Sequence, residues 1–338
     1  MKLIVICPCF NEEAALPSFV AEIEKSAEIF TSRYGVDFEV VFVDDGSSDG
    51  TLDIIRRLSA QKSFARYISF SRNFGKEAAI YAGLKRAAEE CADFAVMMDA
   101  DLQDPPELLP RMFEALTSGD YDSAATLRSD REGEPPIRSF FAHCFYKLIN
   151  HFSDADITDG ARDFRMMNRK MLDAVLSMAE YNRFTKGIFG WVGFRTLWIP
   201  YKNVPRVAGQ TKWSFWKLFK YALQGIMAFS TAPLSLASML GLVICALSFL
   251  MMTYIVTKTL IMGNPVGGWP SLACIVMFLG GVQLFCIGIL GQYLAKTYLE
   301  VKNRPIFIVA ETDCELRSAS ADKGMKQKEK PDVCSKKK

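Results

Sequence analysis

The sequence lacks the cysteine, histidine and charge patterns that mark several classes of protein. Its 338 residues include two histidines and nine cysteines, with no Cys-x-x-Cys pair and no His at ligand spacing, so a zinc site is not predicted. The scattered cysteines are typical of reduced side chains rather than of a disulfide framework. Because 40 basic residues face 38 acidic ones, the formal charge is only +2, and the composition gives no support to a nucleic-acid partner.

The N-terminal segment lacks both a secretory signal and a dinucleotide-binding motif. MKLIVICPCFNEE has a short apolar run that meets Pro8 and then acids, without the longer apolar core and cleavage site of a signal peptide. No Gly-x-Gly-x-x-Gly follows this run, and acids stand where a dehydrogenase has its pyrophosphate-binding glycines. We therefore expect the N-terminal part to stay in the cytosol, and we disfavour a dehydrogenase.

Short apolar runs rich in β-formers alternate with amphipathic helical stretches from residue 2 to about 126. This alternation predicts an α/β fold with a mostly parallel sheet covered on both faces. In such sheets, ligands bind at the carboxyl ends of the strands. The strands are predicted at 2–7, 38–45, 64–70, 93–101 and 121–126, with another near 163–167, and the helices at 12–30, 51–60, 76–90 and 106–116, with another near 137–152.

Two stretches near the C-terminus are almost free of charge and long enough to cross a bilayer as helices. Buried core helices are the alternative, although such helices seldom run so far without a charged face. Before them, lysines interleaved with aromatics predict an amphipathic helix in the headgroup layer, or a simple lead into the first span. The predicted divisions are a cytosolic domain at 1–212, the interfacial helix at 213–230, spans at 231–257 and 269–291, an external loop at 258–268, and a cytosolic tail at 292–338 that is disordered after about 310.

Basic residues flank the two spans on their outer ends. The loop GNPVGGW between the spans carries no charge, so the positive-inside rule places both flanks in the cytosol. Lys258 is an exception that could snorkel outward. The flanking residues are Lys212, Lys217 and Lys220 before the first span, and Lys296, Lys302 and Arg304 after the second.

Acidic motifs follow three of the predicted strands. The first strand runs into PCFNEE and the second into VDDGSSDGT, where Asp49 is placed to cap the next helix. Asp44 and Asp45 lie side by side and would repel each other unless a ligand uses them. The fourth strand ends in MMDADLQDPPE, whose Asp99 and Asp101 can approach one hard cation. Asp-x-Asp is a weak pattern alone, but directly after a buried strand it predicts a metal that neutralises a leaving diphosphate.

Four motifs together resemble one enzyme family. PCFNEE, VDDGSSDGT, SRNFGKEAAIYAGL and DADLQDPPE, in this order, are similar to the family 2 inverting glycosyltransferases, in their dolichol-phosphate mannose synthase-like branch. The resemblance covers about residues 2–215, and the paired spans place the chain beside bacterial polyprenyl-phosphate glycosyltransferases with two C-terminal transmembrane helices. It implies a GT-A, Rossmann-like α/β domain followed by those two helices.

The resemblance also implies roles for individual residues. Asp163, in GARDFRMMNR, and Asp101 would be catalytic, although a structural pair between Asp163 and a neighbouring arginine is the alternative interpretation. Asp101, Asp99 and Gln103 would hold Mg²⁺ or Mn²⁺, and Arg131 and Arg165 would bind the acceptor. Phe10 stands where the family often has Tyr. The donor-binding residues would be Pro8, Phe10, Glu12, Val43, Asp44, Asp45, Lys76, Asp99, Ala100, Gln103, Arg128, Arg206 and Lys212.

The implied reaction is transfer of a sugar from a nucleotide diphosphate, a UDP-sugar in preference to GDP-mannose, to a polyprenyl phosphate, expected to be undecaprenyl phosphate. A single displacement would invert the anomeric carbon at the cytosolic face of the inner membrane, giving a lipid-linked sugar for modification of cell-envelope glycans. The partners are then the nucleotide sugar, the lipid and the membrane, without nucleic acid. A homotetramer follows from the resemblance alone.

Two other functions stand as alternatives. An anchored scaffold or transporter subunit would explain the two spans but not the polar clusters at the strand ends. A processive polysaccharide synthase usually carries a Gln-x-x-Arg-Trp motif and more spans, and that motif is absent from this chain.

Overall fold

The computed structural model describes residues 1–128, 158, 160–201, 232–262 and 268–313. Within these ranges the chain forms an eight-stranded sheet in the order β7-β5-β6-β4-β1-β2-β3-β8. Four neighbouring pairs are parallel and three, those of β4 with β6, β5 with β6 and β3 with β8, are antiparallel. The predicted α/β fold with a mostly parallel sheet is therefore confirmed.

The elements have the following bounds. The strands are β1 Lys2–Cys9, β2 Asp37–Asp44, β3 Ala65–Phe70, β4 Phe94–Met97, β5 Ser123–Arg128, β6 Ala161–Asn168, β7 Thr196–Tyr201 and β8 Val309–Thr312. The helices are α1 Leu16–Tyr34, α2 Thr51–Gln61, α3 Lys76–Glu89, α4 Leu109–Thr117, α5 Arg169–Ser177, α6 Thr185–Trp191, α7 Ala232–Met262 and α8 Trp269–Lys302, with a 3₁₀ turn at Pro106–Leu108.

Successive side chains of the central strand β1 enter different layers of the core. Leu3 and Val5 pack in the cluster that contains the buried face of α1, whereas Ile4 and Ile6 pack with α3 on the other face of the sheet. The approach of α3 is close, because a Cβ at Gly83 would lie 2.2 Å from Cγ2 of Ile6. Helices on both faces leave the carboxyl edge of the parallel strands as the place for a site.

The antiparallel strand β6 brings its first residues to this same edge. Met97, the last residue of β4, pairs with Arg165, so Asp163 lies two residues beyond the end of β4, level with Asp99. On the other side of β4, the parallel register pairs Cys9 of β1 with Asp44 of β2. The acidic motifs therefore meet at one edge although they are far apart in the chain.

Three local features differ from the expectations. Helix α1 begins at Leu16 rather than at residue 12. A turn precedes it, in which the Glu12 carbonyl accepts from the amides of Ala15 and Leu16, and Pro17 in the first turn of the helix has no amide to donate back to Glu13. Strand β8 pairs with β3 in a region assigned to the tail. Of the described cysteines, Cys7, Cys9 and Cys286 are free as predicted, but Cys91 is disulfide-bonded.

Helices α7 and α8 are long and apolar enough to cross a membrane, judged by length and composition. Within the described residues, the candidate spans are Leu234–Met251 and Phe278–Lys302, with mean hydropathy of 2.3 and 1.6. Only 6% and 0% of these windows is buried, which argues against two core helices. The predicted interfacial helix at 213–230 and the predicted helix at 137–152 lie outside the described residues.

Candidate active site

Asp163 lies between two lysines at the carboxyl edge of the sheet. Lys76 Nζ lies 2.8 Å from Asp163 Oδ2 and 2.7 Å from Asp99 Oδ2, so it joins two of the predicted site carboxylates. Lys186 Nζ lies 3.5 Å from the other oxygen, Asp163 Oδ1, and donates to the Ala161 carbonyl at 3.0 Å. Each oxygen of Asp163 therefore faces an ammonium group.

These contacts decide the charge of the site. Burial alone would raise the pKa of Asp163, but the positive charges of Lys76 and Lys186 hold it well below its usual range. Burial alone would likewise lower the pKa of Lys76, but the charges of Asp163 and Asp99 raise it well above the ordinary value. Asp163 and Lys76 are therefore both ionised at neutral pH.

A partly buried contact between two helix starts lies next to the two lysines in the sequence. Glu77 Oε2 accepts from the Thr185 amide at 3.0 Å and also from the Thr185 hydroxyl. Glu77 follows Lys76 at the start of α3, and Thr185 precedes Lys186 at the start of α6. We call this pair the Glu77–Thr185 contact. Sequence analysis missed Lys186 and this contact, although Glu77 stands inside the motif SRNFGKEAAIYAGL.

The Asp-x-Asp loop begins beyond the end of β4. The Asp101 carboxylate accepts from the Gln103 amide at 3.1 Å, while the Gln103 side-chain oxygen accepts from Arg162 at 3.3 Å. Among the described residues, no group of three or more His, Cys, Asp or Glu is placed to hold a metal ion. Asp99 and Asp101 do suit a hard cation that takes its other ligands from a diphosphate and water.

A buried polar network fixes the base of this loop. Asp104 is 1% exposed and accepts from Arg162 Nε at 3.4 Å and from the Tyr201 hydroxyl at 3.1 Å. Burial raises the pKa of Asp104 to about 6 despite the opposing charge of Arg162. Burial and the nearby Asp104 raise the pKa of Tyr201 to about 12. The network links the loop after β4 to the ends of β6 and β7, and sequence analysis did not predict it.

Asp44 and Asp45 both have partners within the protein, which corrects the argument that only a ligand could explain them. Asp44 accepts from the Ser47 amide at 3.2 Å and the Ser69 hydroxyl at 2.9 Å. Asp45 accepts from the amides of Phe74 and Gly75, at 2.6 and 2.9 Å. Burial raises the pKa of Asp45. Asp45 thus holds the turn that leads into α3 and Lys76.

The remaining predicted residues are placed as follows. Phe10 is 40% exposed, whereas Val43 and Ala100 are buried. Glu12 donates its amide to Thr51 Oγ1 at 2.8 Å, and Pro8 is half-buried in β1. Arg165 is 4% exposed on β6. Arg131, Arg206, Lys212 and the side chain of Arg128 lie outside what the structure describes.

Comparisons with known proteins identify the family of the chain. The family model described as Glycosyl transferase family 2 matches residues 4–176. The chain is 41% identical over 312 residues to the SfII prophage-derived bactoprenol glucosyl transferase of Shigella flexneri, covering 92% of this chain and 98% of that protein. It is 40% identical over 309 residues to the prophage bactoprenol glucosyl transferase homolog of Escherichia coli K12, covering 91% and 98%.

The similarity to solved structures is weaker than the similarity to these relatives. Glucosyl-3-phosphoglycerate synthase from Mycobacterium tuberculosis, in complex with Mn²⁺, UDP-glucose and phosphoglyceric acid, has a TM-score of 0.45 and 19% identity, covering 67% of this chain and 77% of that one. The mannosyltransferase PcManGT from Pyrobaculum calidifontis, with GDP-Man and Mn²⁺, has a TM-score of 0.42 and 15% identity, covering 86% of each chain.

The family match agrees with the residues and the fold. The matched residues 4–176 include the acidic motifs, Lys76 and Asp163, and the mostly parallel sheet is the GT-A arrangement that the sequence predicts. The chain is therefore a glycosyltransferase and belongs to glycosyl transferase family 2.

Proposed function

We propose that this enzyme transfers glucose from a UDP-sugar to a polyprenyl phosphate, expected to be undecaprenyl phosphate, at the cytosolic face of the membrane. The observation that carries the proposal is the arrangement of Asp163, held by Lys76 and Lys186 beside the Asp-x-Asp loop. The names of the two bactoprenol glucosyl transferases, which align over nearly their whole length, support both the acceptor and glucose. GDP-mannose is the less favoured donor.

The proposed step is one displacement at the anomeric carbon. An oxygen of the acceptor phosphate forms the new bond, the bond from the anomeric carbon to the diphosphate oxygen breaks, and the nucleoside diphosphate leaves with the electron pair. Inversion follows from a single displacement. Because the second pKa of a phosphate monoester is about 6, the acceptor is mostly dianionic at neutral pH and needs little help from a base.

The protein supplies charge and position for this step. Lys76 places a positive charge between Asp99 and Asp163, where it offsets the charge that develops on the leaving diphosphate. A divalent cation, Mg²⁺ or Mn²⁺, held by Asp99 and Asp101 would supply further neutralisation. We assign Asp163 to orienting the acceptor, Arg131 and Arg165 to binding it, and Arg128, Arg206 and Lys212 to the donor.

The two apolar helices α7 and α8 fit an enzyme whose acceptor keeps its tail in the bilayer. Anchoring at the membrane raises the effective concentration of a lipid headgroup around the catalytic domain. We propose that both helices span the inner membrane, with the catalytic domain and the C-terminus in the cytosol, and that the product serves glycan modification in the cell envelope. A homotetramer stays a prediction.

The test is transfer of radiolabelled sugar from a panel of UDP- and GDP-sugars into undecaprenyl phosphate, with Mg²⁺, Mn²⁺ or a chelator. We expect label in the lipid phase from UDP-glucose, lost on chelation and in Asp101→Ala. Folded wild-type protein that labels no lipid from any donor would favour an anchored, non-catalytic module instead.

A further inference from the structure

The last turn of α8 is hydrogen-bonded to the loop that leads into α6. Glu300 Oε1 accepts from the amides of Tyr181 and Asn182, at 2.9 and 3.2 Å. Both residues lie in the α5–α6 loop, which comprises residues 178–184. Helix α8 has 34 residues, and since about 20 are enough to cross a bilayer, its last turns extend beyond the hydrocarbon in the proposed topology. The end of a proposed membrane span therefore contacts the catalytic domain directly.

The next residue of the α5–α6 loop, Arg183, is buried against α3. It is 8% exposed, and its guanidinium carbon lies 4.4 Å from the centre of the Tyr81 ring. The same guanidinium donates to the Met178 carbonyl at the beginning of the loop. Burial lowers the pKa of this guanidinium, against the raising effects of Tyr81, Glu77 and Glu180. Arg183 therefore holds the loop against α3.

The chain that leaves α8 packs on the same tyrosine ring. Phe307 is 7% exposed, and its ring centroid lies 6.4 Å from that of Tyr81, edge to face. Tyr81 lies about one turn after Glu77 on α3, and Glu77 accepts from Thr185 at the start of α6. The α8 junction is our name for the group that consists of Glu300, Phe307, Tyr81 and Arg183. It contacts both α3 and the segment that leads into α6.

Lys186 follows this segment directly. It is the second residue of α6, and its ammonium group lies 3.5 Å from Asp163 Oδ1. Because protein interiors are closely packed and transmit displacements, a shift of the short loop that Glu300 binds would shift the start of the helix after it.

We propose that Glu300 is a positioning residue for sugar transfer: it fixes the α5–α6 loop to the end of α8 and so sets Lys186 against Asp163. The inference rests on the proposed function, which assigns Asp163 to orienting the acceptor. It adds that α8 supports the reacting centre as well as anchoring the enzyme.

Glu300→Ala tests the inference in the full-length protein in detergent. We expect kcat to fall about tenfold, because a misplacement of about 1 Å can cost about 10²-fold. The KM for the sugar donor should stay unchanged, since the motifs assigned to the donor nucleotide follow β1 and β2. Glu300 is exposed, so the melting temperature should fall by no more than about 4 °C. Steady-state transfer from UDP-glucose to undecaprenyl phosphate measures both kinetic constants.

Glu300→Gln is the matched control for the lost charge. Its side-chain oxygen can accept from the same two amides as a weaker, neutral acceptor, so kcat should stay within about threefold of wild type. Glu22→Ala makes the alanine change at a partly exposed glutamate of α1, which accepts from Lys25 at 2.7 Å, and should leave kcat unaltered. Equal falls in Glu300→Ala and Glu300→Gln would show that the charge acts rather than the hydrogen bonds, and would overturn the inference.

A double-mutant cycle shows whether Glu300 acts through Lys186. Lys186→Met should itself lower kcat. Adding Glu300→Ala to it should lower kcat further by less than about twofold, because the side chain that is positioned has been removed. A fall of about tenfold in both backgrounds would mean that the two residues act independently, and the inference would be wrong.

Hydrogen exchange separates this inference from the proposed function. The amides of Ile188 and Val192 donate to carbonyls of the residues four positions before them, at 3.1 and 3.0 Å. They should exchange faster in Glu300→Ala than in wild type or Glu300→Gln, since the start of α6 is less firmly held. Unaltered exchange in Glu300→Ala would overturn the inference. If the wild-type protein transferred no sugar, the proposed function would fail, while faster exchange would still support the α8 junction.

Discussion

At the scale of single residues, the surroundings of Asp163 limit what this carboxylate can do. Two ammonium groups contact its two oxygens, and they hold its pKa well below the usual range. Such a carboxylate is a weak base, because giving it a proton would remove both charge-assisted contacts. We propose that it fixes Lys76 and Lys186 and thereby helps to orient the acceptor.

Asp163→Asn should therefore lower kcat without abolishing transfer. We expect a fall of about 10²-fold, the usual cost of misplacing reacting groups by about 1 Å, because the acceptor already carries its negative charge and needs position rather than a base. Steady-state transfer with saturating donor and lipid measures it. Asp173→Asn is the control, because Asp173 is exposed and pairs with Arg169 on α5. Nearly full turnover in Asp163→Asn would refute the orienting role.

The loss of activity at acid pH should reflect protonation of the acceptor phosphate rather than of the protein. Because the pKa of Asp163 is depressed, this group stays ionised as the pH falls from neutrality and causes no loss of activity there. The second ionisation of the acceptor phosphate, near 6, should set the midpoint. A phosphonate acceptor, whose second pKa is higher, should move the midpoint upward. A midpoint that does not move would show that a group of the protein titrates instead, and Asp104 is the candidate because its pKa is about 6.

The order of elements places the residues that sequence analysis predicted, whereas contacts between distant segments place those it missed. Asp99 lies two residues beyond the end of β4 and Lys76 is the first residue of α3, so the order of elements is enough to place them at the carboxyl edge. Lys186, Asp104 and Arg162 depend on contacts between distant segments, and these are set by strand register and helix packing. No local pattern encodes that register.

At the scale of elements, the starts of α3 and α6 act as one unit through the Glu77–Thr185 contact. Thr185→Val removes the hydroxyl donor and keeps the shape of the side chain. We expect the free energy of unfolding to fall by about 1.5–3 kcal/mol, the usual range for a hydrogen bond to a charged group. We also expect kcat to fall while the KM for the donor changes little, since Lys76 and Lys186 lose their common support.

Thr185→Ser is the matched control for this prediction, because it keeps the hydroxyl and the backbone donor. It should restore both stability and kcat most of the way to wild type. If Thr185→Val lost stability with no change in kcat, the contact would hold the fold together without positioning the lysines.

Strand β8 shows which elements a sequence pattern does not reveal. It has four residues, VAET, in a polar region, and it gains its structure from pairing with β3. Arg56 binds Glu311 through two contacts of 2.7 and 2.8 Å, and Phe307 stacks on Phe70 at 5.0 Å between ring centroids. The longer apolar strands β1 and β2 were predicted because their own side chains fill the core.

At the scale of the whole molecule, β8 joins the end of the described chain to the catalytic domain. A chain that ends at Lys302 would lose β8 and the burial of Phe307, worth about 1.5–3 kcal/mol for the aromatic side chain alone. We expect its melting temperature to fall by about 3–12 °C. A chain that ends at residue 320 keeps β8 and should melt like the full-length protein. Equal melting of all three chains would contradict a stabilising role for β8.

The position of β8 also has a consequence for synthesis on the ribosome. Strand β3 ends at Phe70 and β8 begins at Val309, so at roughly 5–20 residues per second the outer edge of β3 stays unpaired for about 10–50 seconds after it emerges. An open strand edge invites pairing with other nascent chains. Helices α7 and α8 emerge within that interval, so the catalytic domain is completed only after the segments proposed to enter the membrane have been made.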